Sequence, residues 1–92
     1  MSVDAATIAK EFAITEEELT RKSLRAFLLE QLRLLEAERK ARCAKFGVKD
    51  LWEMELLFVE GKVSEEEMLE DYQEVDYLTD RVERVKAMLE EI

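Results

Sequence analysis

The chain is 92 residues long, enough for one small domain whose single hydrophobic core is marginally stabilising. Its 48% apolar content excludes an intrinsically disordered chain despite 40% charged residues. It contains no His and one Cys, which excludes an intrachain disulfide and any cysteine-based metal cluster and fits a reducing compartment. The sequence does not begin with a signal-peptide pattern, and no uninterrupted apolar run approaches about 18 residues. We therefore expect a cytoplasmic protein with no membrane contact.

The net charge of −9 comes from the second half of the chain. Residues 1–46 carry nine Lys or Arg and eight Asp or Glu, whereas residues 47–92 carry five against fifteen, a balance of −10. A basic helix followed by an acidic helix favours an antiparallel hairpin with ion pairs between the helices. Such pairs set orientation more than stability. Abundant Glu, Lys and Arg with no Asn is also typical of thermophilic proteins.

The first predicted helix is short and the second is long. Residues 4–12 form a helical turn that Asp4 can cap. The second helix spans residues 15–46, with a capping box at its start, and ends because Gly47 can adopt the left-handed conformation. The middle of this helix is apolar around more than half of its circumference. Its large apolar side chains are Leu24, Phe27, Leu28, Leu29, Leu32, Leu34 and Leu35. One neighbouring helix covers only one stripe, so this stretch needs neighbours on two sides.

The third predicted helix, residues 49–60, carries large apolar side chains on several faces and ends at Gly61. At helical spacing, one group points about 100° away from the other. The first group is Leu51, Met54 and Phe58, and the second is Trp52, Leu56 and Val59. A helix this short cannot bury both groups against one neighbour.

The last predicted helix, residues 64–91, begins with a capping box of Ser64 and Glu67 and has the most regular pattern in the chain. Its apolar residues are spaced three and four apart, as in a heptad seam. They are Met68, Tyr72, Val75, Leu78, Val82, Val85, Leu89 and Ile92. The sequence therefore predicts one all-α domain over residues 1–92. In it, two long antiparallel helices are joined by a short helix and preceded by another.

The surplus of apolar side chains predicts association. Two long helices cannot bury both apolar stretches, so we expect a homodimer, most simply a four-helix bundle, or a surface kept for another partner. The candidate interface residues are Leu24, Phe27, Leu28, Leu32, Trp52, Leu56, Phe58 and Val59. Trp52 is the first choice for an interface anchor, although a core position would also explain it. Asp71 and Asp76 are candidates for an acidic rim around the interface.

One motif suggests an enzyme. Glu66, Glu67 and Glu70 fit the E-E-x-x-E half of the carboxylate motif of MazG-like all-α nucleotide pyrophosphohydrolases, which hold Mg²⁺ with several converging carboxylates. The second half of that motif, E-x-x-D, does not occur in this chain. Acidic residues in the first turn of a helix also complement its dipole, which explains them without catalysis. We predict no catalytic, cofactor-binding or metal-binding residues.

Residues 5–19 have the apolar spacing of a helix-turn-helix, with Ala13 at the position that glycine usually occupies. The would-be recognition helix, however, begins with Glu16, Glu17 and Glu18, which repel phosphate. A short helix that folds back as a hydrophobic lid explains the same spacing. We therefore expect no DNA binding by this chain alone.

Three stretches together resemble small antitoxin components of prokaryotic toxin–antitoxin gene pairs. They are ITEEELTRKSLRAFLLEQLR at residues 14–33, KFGVKDLWEMELLFVEGKVSEEE at 45–67 and DYQEVDYLTDRVERVKAMLEEI at 71–92. The resemblance implies a proteinaceous inhibitor that binds a small toxin, often a ribonuclease, and that sometimes regulates its own operon. Many antitoxins also have a recognisable DNA-binding N-terminus, which is not clear in this chain.

The functional prediction is a non-enzymatic protein-interaction module, and specifically an antitoxin-like inhibitor of a small basic protein. A toxin that acts on RNA presents a basic surface, and residues 64–92 offer an acidic helix with an apolar seam. The alternative is a homodimeric structural bundle. A nucleotide pyrophosphohydrolase and a DNA-binding protein are further alternatives.

Overall fold

The computed structural model describes residues 2–92, which form four α-helices and no strand. The helices are α1 (Ala5–Glu11), α2 (Glu16–Ala44), α3 (Leu51–Val59) and α4 (Glu65–Glu91). The prediction of an all-α chain with two long and two short helices is confirmed. Predicted and observed helix ends differ by at most two residues.

The predicted N-cap side chains accept hydrogen bonds from the first turns of their helices. The bonds run from the Thr7 amide to Asp4 Oδ1 at 2.8 Å, from the Glu18 amide to Thr15 Oγ1 at 3.0 Å and from the Glu67 amide to Ser64 Oγ at 3.3 Å. Among residues 2–92, neither Glu18 nor Glu67 returns the reciprocal bond of a full capping box. The caps nevertheless fix where each of these helices begins.

The start of α3 corrects the predicted boundary at residue 49. Asp50 is the N-cap: it has an extended backbone, and its side chain accepts from the Glu53 amide at 2.9 Å. The Glu53 carboxylate accepts in turn from the Lys49 amide at 3.2 Å. This exchange holds Lys49 outside the helix, so α3 begins at Leu51.

Three helices end with the same backbone motif. After α2, the Val48 amide donates to the Cys43 carbonyl at 3.2 Å and the Gly47 amide to the Ala44 carbonyl at 3.2 Å, which is the Schellman pattern. Gly47 is left-handed, with φ of +67°, as predicted. The same pair of bonds closes α3 around Gly61 and α1 around Ala13, whose φ is +55°. After α2, residues 45–47 form this turn, so the helix ends at Ala44 rather than at the predicted residue 46.

Helices α2 and α4 form the predicted antiparallel hairpin. Residues that come later in α2 contact residues that come earlier in α4. Arg39 donates to the Thr79 hydroxyl at 3.4 Å, and Arg42 donates to Asp71 at 3.0 Å. The buried side of α4 matches the predicted seam. Met68, Val75, Leu78, Val82 and Val85 are buried, Tyr72 and Leu89 are half-buried, and Ile92 is exposed.

α3 covers one end of the hairpin and builds the densest core there. Cys43 of α2, Met54 of α3 and Met68 and Val75 of α4 are fully buried together. The side chains packed around them are Phe46, Val48, Leu51, Leu57, Phe58, Val63 and Tyr72. Side chains from three helices thus bury this cluster completely.

The other end of the hairpin has only two long helices, together with α1 against the start of α2. None of the apolar side chains of α2 between Leu24 and Leu35 is fully buried. The chain measures 60 × 28 × 16 Å, with a radius of gyration of 19.3 Å. A compact domain of this length has a radius of gyration of about 12 Å. The molecule is therefore an extended rod with a buried cluster at one end and a buried α4 seam that continues along the hairpin.

The left-handed helix ends predict opposite effects for two substitutions. Gly47→Ala should lower the free energy of unfolding by about 1 kcal/mol, because a Cβ disfavours the left-handed backbone. A Cβ at Gly47 would meet no atom within 4 Å, so the cost is conformational. Ala13→Gly should instead stabilise α1 by about 0.5 kcal/mol, after the entropy gained by the unfolded chain is subtracted. Urea unfolding tests the first change and amide hydrogen exchange of α1 tests the second. Destabilisation by both would contradict this assignment.

The two sides of α3 should differ sharply in their effect on folding. Met54→Ala should cost about 2–4 kcal/mol, because it empties a fully buried site. Trp52→Ala should cost less than about 1 kcal/mol, because its side chain lies mostly in solvent. Urea unfolding followed by circular dichroism, at one protein concentration, measures both. Equal costs would show that Trp52 belongs to the core.

Candidate protein-interaction surface

The outer side of α3 carries unburied apolar side chains. Met54 points into the core with no exposed surface, whereas Trp52 is 65% exposed and Val59 is 81% exposed. Helical spacing places these two outer residues on one side, about 140–160° from Met54. Leu56 lies on the same side and is half-buried. The sequence-predicted second face of the short helix is therefore the one left in solvent.

An open groove lies between the C-terminal half of α3 and the first turns of α4. Its volume is about 410 Å³, and its lining residues are Glu55, Phe58, Val59, Glu65, Leu69 and Tyr72. Four of the six are apolar or aromatic, and the two carboxylates come from opposite walls. We call this concavity the α3–α4 groove. Trp52 lies near it on α3, three residues before Glu55 and seven before Val59, on the same side of the helix.

Aromatic packing and one hydrogen bond hold the floor of the α3–α4 groove. The rings of Phe58 and Tyr72 meet edge to face, with centroids 5.7 Å apart and planes at 82°. The Tyr72 hydroxyl donates to the Glu55 carboxylate at 2.7 Å. This bond raises the pKa of Tyr72, because the carboxylate stabilises the protonated hydroxyl, and the charge of Asp76 adds to the effect. The groove is thus preformed in the single chain.

The predicted interface residues separate into two groups at opposite ends of the rod. Trp52, Leu56 and Val59 lie on the outer side of α3, while Phe58 packs on Tyr72 within the groove floor. At the far end, Leu24 and Phe27 are exposed and Leu28 and Leu32 are half-buried against α4. The structure therefore does not join the eight residues into one surface.

The two predicted rim acids also differ. The side chain of Asp71 is only 14% exposed, and its carboxylate pairs with Arg42 at 3.0 Å and Lys45 at 3.1 Å. It joins the two long helices and is not part of an exposed rim. Asp76 is exposed and lies seven residues after Leu69, on the groove side of α4. The acids that line the groove are Glu55 and Glu65, and Asp76 lies near enough for its charge to act on Tyr72.

Sequence reasoning missed Leu69 and Glu55 as groove residues. Leu69 lies outside the α4 seam among charged neighbours, and it is 39% exposed. The sequence signal that could have identified Leu69 is that it is an apolar residue outside the seam. Glu55 had no such signal, because its role depends on how α3 is turned against α4.

The acidic residues that suggested an enzyme do not converge. Glu66, Glu67 and Glu70 are all exposed on the first turns of α4. Within residues 2–92, no group of three or more His, Cys, Asp or Glu side chains is arranged to hold a metal ion. No described helix combines the length and apolar character needed to cross a membrane.

Cys43 is fully buried among Met54, Met68 and Val75. Burial raises the pKa of its thiol, because the apolar surroundings disfavour the thiolate. Cys43 is therefore a core side chain in this fold.

Comparison with known proteins places the chain in a family. The model of the family described as "Uncharacterized protein MJ0235 family" matches residues 1–92. The chain belongs to this family. It is similar to "Uncharacterized protein MJ0235" of Methanocaldococcus jannaschii, with 32% identity over 76 residues, which cover 83% of this chain and 93% of that protein. No solved structure matches the chain significantly.

The different environments of the two rim candidates predict different effects on stability. Asp71→Asn should lower the free energy of unfolding by about 1 kcal/mol, because it removes a partly buried carboxylate that joins α2 and α4. Asp76→Asn is the matched control and should change it by less than about 0.5 kcal/mol. Thermal or urea unfolding at low salt measures both. Equal effects of the two substitutions would mean that the Arg42–Asp71 pair contributes nothing to stability.

Proposed function

We propose that this chain is a non-enzymatic protein-interaction module that binds a small basic protein through the α3–α4 groove. The observation that carries the proposal is a preformed apolar groove beside an exposed tryptophan, with carboxylates on both walls. Large exposed aromatic side chains next to a concave apolar surface are typical anchors of protein interfaces.

The charge around the groove selects the class of partner. Residues 50–70 contain eight Asp or Glu and one basic residue, Lys62. Lys62 is already paired with Glu60 at 2.9 Å. A basic partner would be steered toward this surface, and an acidic partner or nucleic acid would be repelled. An amphipathic helix with a basic side fits an apolar groove of this shape.

The narrower form of this proposal is that the partner is a toxin and that the chain is a cytoplasmic antitoxin. It rests on the resemblance of residues 14–33, 45–67 and 71–92 to antitoxins. The acidic groove is compatible with it, because a ribonuclease toxin presents a basic surface to RNA. Co-expression with the adjacent gene product tests this narrower form. Rescue of growth that depends on Trp52 would support it.

The groove predicts which substitutions weaken the complex. With a small basic protein encoded next to this chain as the probe, Trp52→Ala should weaken binding by about 2 kcal/mol, or about 30-fold, as loss of a central anchor does. Val59→Ser should act in the same direction, because Val59 lines the groove. Isothermal titration at moderate salt measures the affinities. Circular dichroism confirms that each variant is folded.

Phe27→Ser is the matched control, since it removes an exposed aromatic ring at the other end of the rod. It should leave affinity for the partner unchanged. Asp76→Lys should mainly slow association and reduce its salt dependence. Binding that survives Trp52→Ala but fails with Phe27→Ser would place the partner elsewhere. The absence of binding by any adjacent basic protein would overturn the proposal.

A further inference from the structure

A second apolar surface lies at the end of the rod that α3 does not cover. Leu24, Phe27 and Leu28 of α2 line an open groove with Met88, Glu91 and Ile92 of α4. We call it the hairpin groove. Phe27 is 61% exposed and Met88 is 47% exposed, although both lie beside the α2–α4 contact. The groove is distinct from the α3–α4 groove and is not used by the proposed function.

The hairpin groove faces away from α3. Cys43 of α2 contacts α3, and it lies sixteen residues after Phe27, which is about 160° around the helix. Tyr72 of α4 also packs in the α3 region, and it lies sixteen residues before Met88. Both helices therefore turn their groove residues to the side opposite α3.

Two further apolar side chains lie beyond the groove on the same side, one on each helix. Leu34 lies seven residues after Phe27, and Tyr77 lies eleven residues before Met88, so each is on the same side of its helix. Leu34 is 48% exposed and Tyr77 is 54% exposed. On α2, Leu24, Phe27, Gln31 and Leu34 follow the three-and-four spacing with which one helix packs against another. On α4, the exposed Arg81 and Arg84 lie between Tyr77 and Met88. Outside the hairpin groove, the exposed apolar side chains on this side are therefore mixed with polar and charged ones.

The charge at this end favours a second copy of this chain over a highly charged partner. Residues 16–35 carry four basic and four acidic side chains, and residues 78–92 carry three against four. This end of the hairpin is therefore nearly neutral, whereas residues 36–77 carry six against thirteen. Two copies would repel each other through the α3 end and would not through the hairpin groove. A highly charged partner finds no complementary field at the hairpin groove.

We propose that the hairpin groove is a homodimer interface, in which two hairpins pack around a two-fold axis as a four-helix bundle. Such a contact uses the same surface of both copies. It also supplies the second layer that a two-helix hairpin needs to bury its apolar side chains. The two α3–α4 grooves lie outside this contact, so a dimer presents two of them.

Sedimentation of the purified chain and of matched variants tests the dimer. The unmodified chain should be dimeric at micromolar concentration. Phe27→Glu and Met88→Glu should raise the dissociation constant of the dimer at least about 30-fold, as loss of central anchors does. Leu29→Glu is the control, because Leu29 is also exposed on α2 but lies about 160° from Phe27. It should change that constant less than about threefold.

Helicity and salt dependence make each outcome decisive. All three variants should stay helical, because the single chain buries none of the three side chains fully. The dimer should tolerate salt, because its interface is nearly neutral. A monomeric unmodified chain would overturn the proposal. A variant that unfolds, or a dimer weakened as much by Leu29→Glu as by Phe27→Glu, would overturn it too. Trp52→Ala should leave the dimer intact, so failure here is distinguishable from failure of the proposed function.

Discussion

The packing of α2 against α4 buries one stripe of each long helix, and the rest of the structure depends on what covers their other apolar side chains. At one end α3 supplies that cover, and Cys43, Met54, Met68 and Val75 become fully buried. At the other end α1 packs against the start of α2, but Leu24, Phe27 and Met88 stay exposed. An amphipathic helix gains most of its stability from burial of its apolar face. Association with another chain would therefore add most stability at that end.

The helix ends determine where the cover lies. The left-handed Gly47 turns the chain out of α2, and Asp50 begins α3 only three residues later. A connection this short keeps α3 beside the end of α2 and the beginning of α4. The first turns of α4 are strongly acidic, so the groove formed there acquires an acidic rim. The groove's apolar floor and its charge thus follow from one short connection.

The uneven charge along the rod gives its two apolar surfaces different chemistry. The surface beside α3 combines Trp52 and Val59 with a dense set of carboxylates, which disfavours self-association and favours a basic partner. The hairpin groove has similar apolar side chains and almost no net charge. A second copy of this chain is the occupant that we propose for it. The proposed partner and the proposed dimer can consequently occupy the same molecule without competing.

The sequence alone determined the helices, the N-caps of α1, α2 and α4 and the buried seam of α4, because these depend on neighbours within a few residues along the chain. The spacing of Val75, Leu78, Val82 and Val85 identified the buried side directly. It also placed Trp52 and Val59 together on one side of the short helix. Only the tertiary structure decided that this side faces solvent and that Phe58 packs on Tyr72. It likewise paired Asp71 with Arg42 and Lys45 instead of leaving it exposed. The physical reason is that these outcomes depend on how one helix is turned against another, which no local pattern specifies.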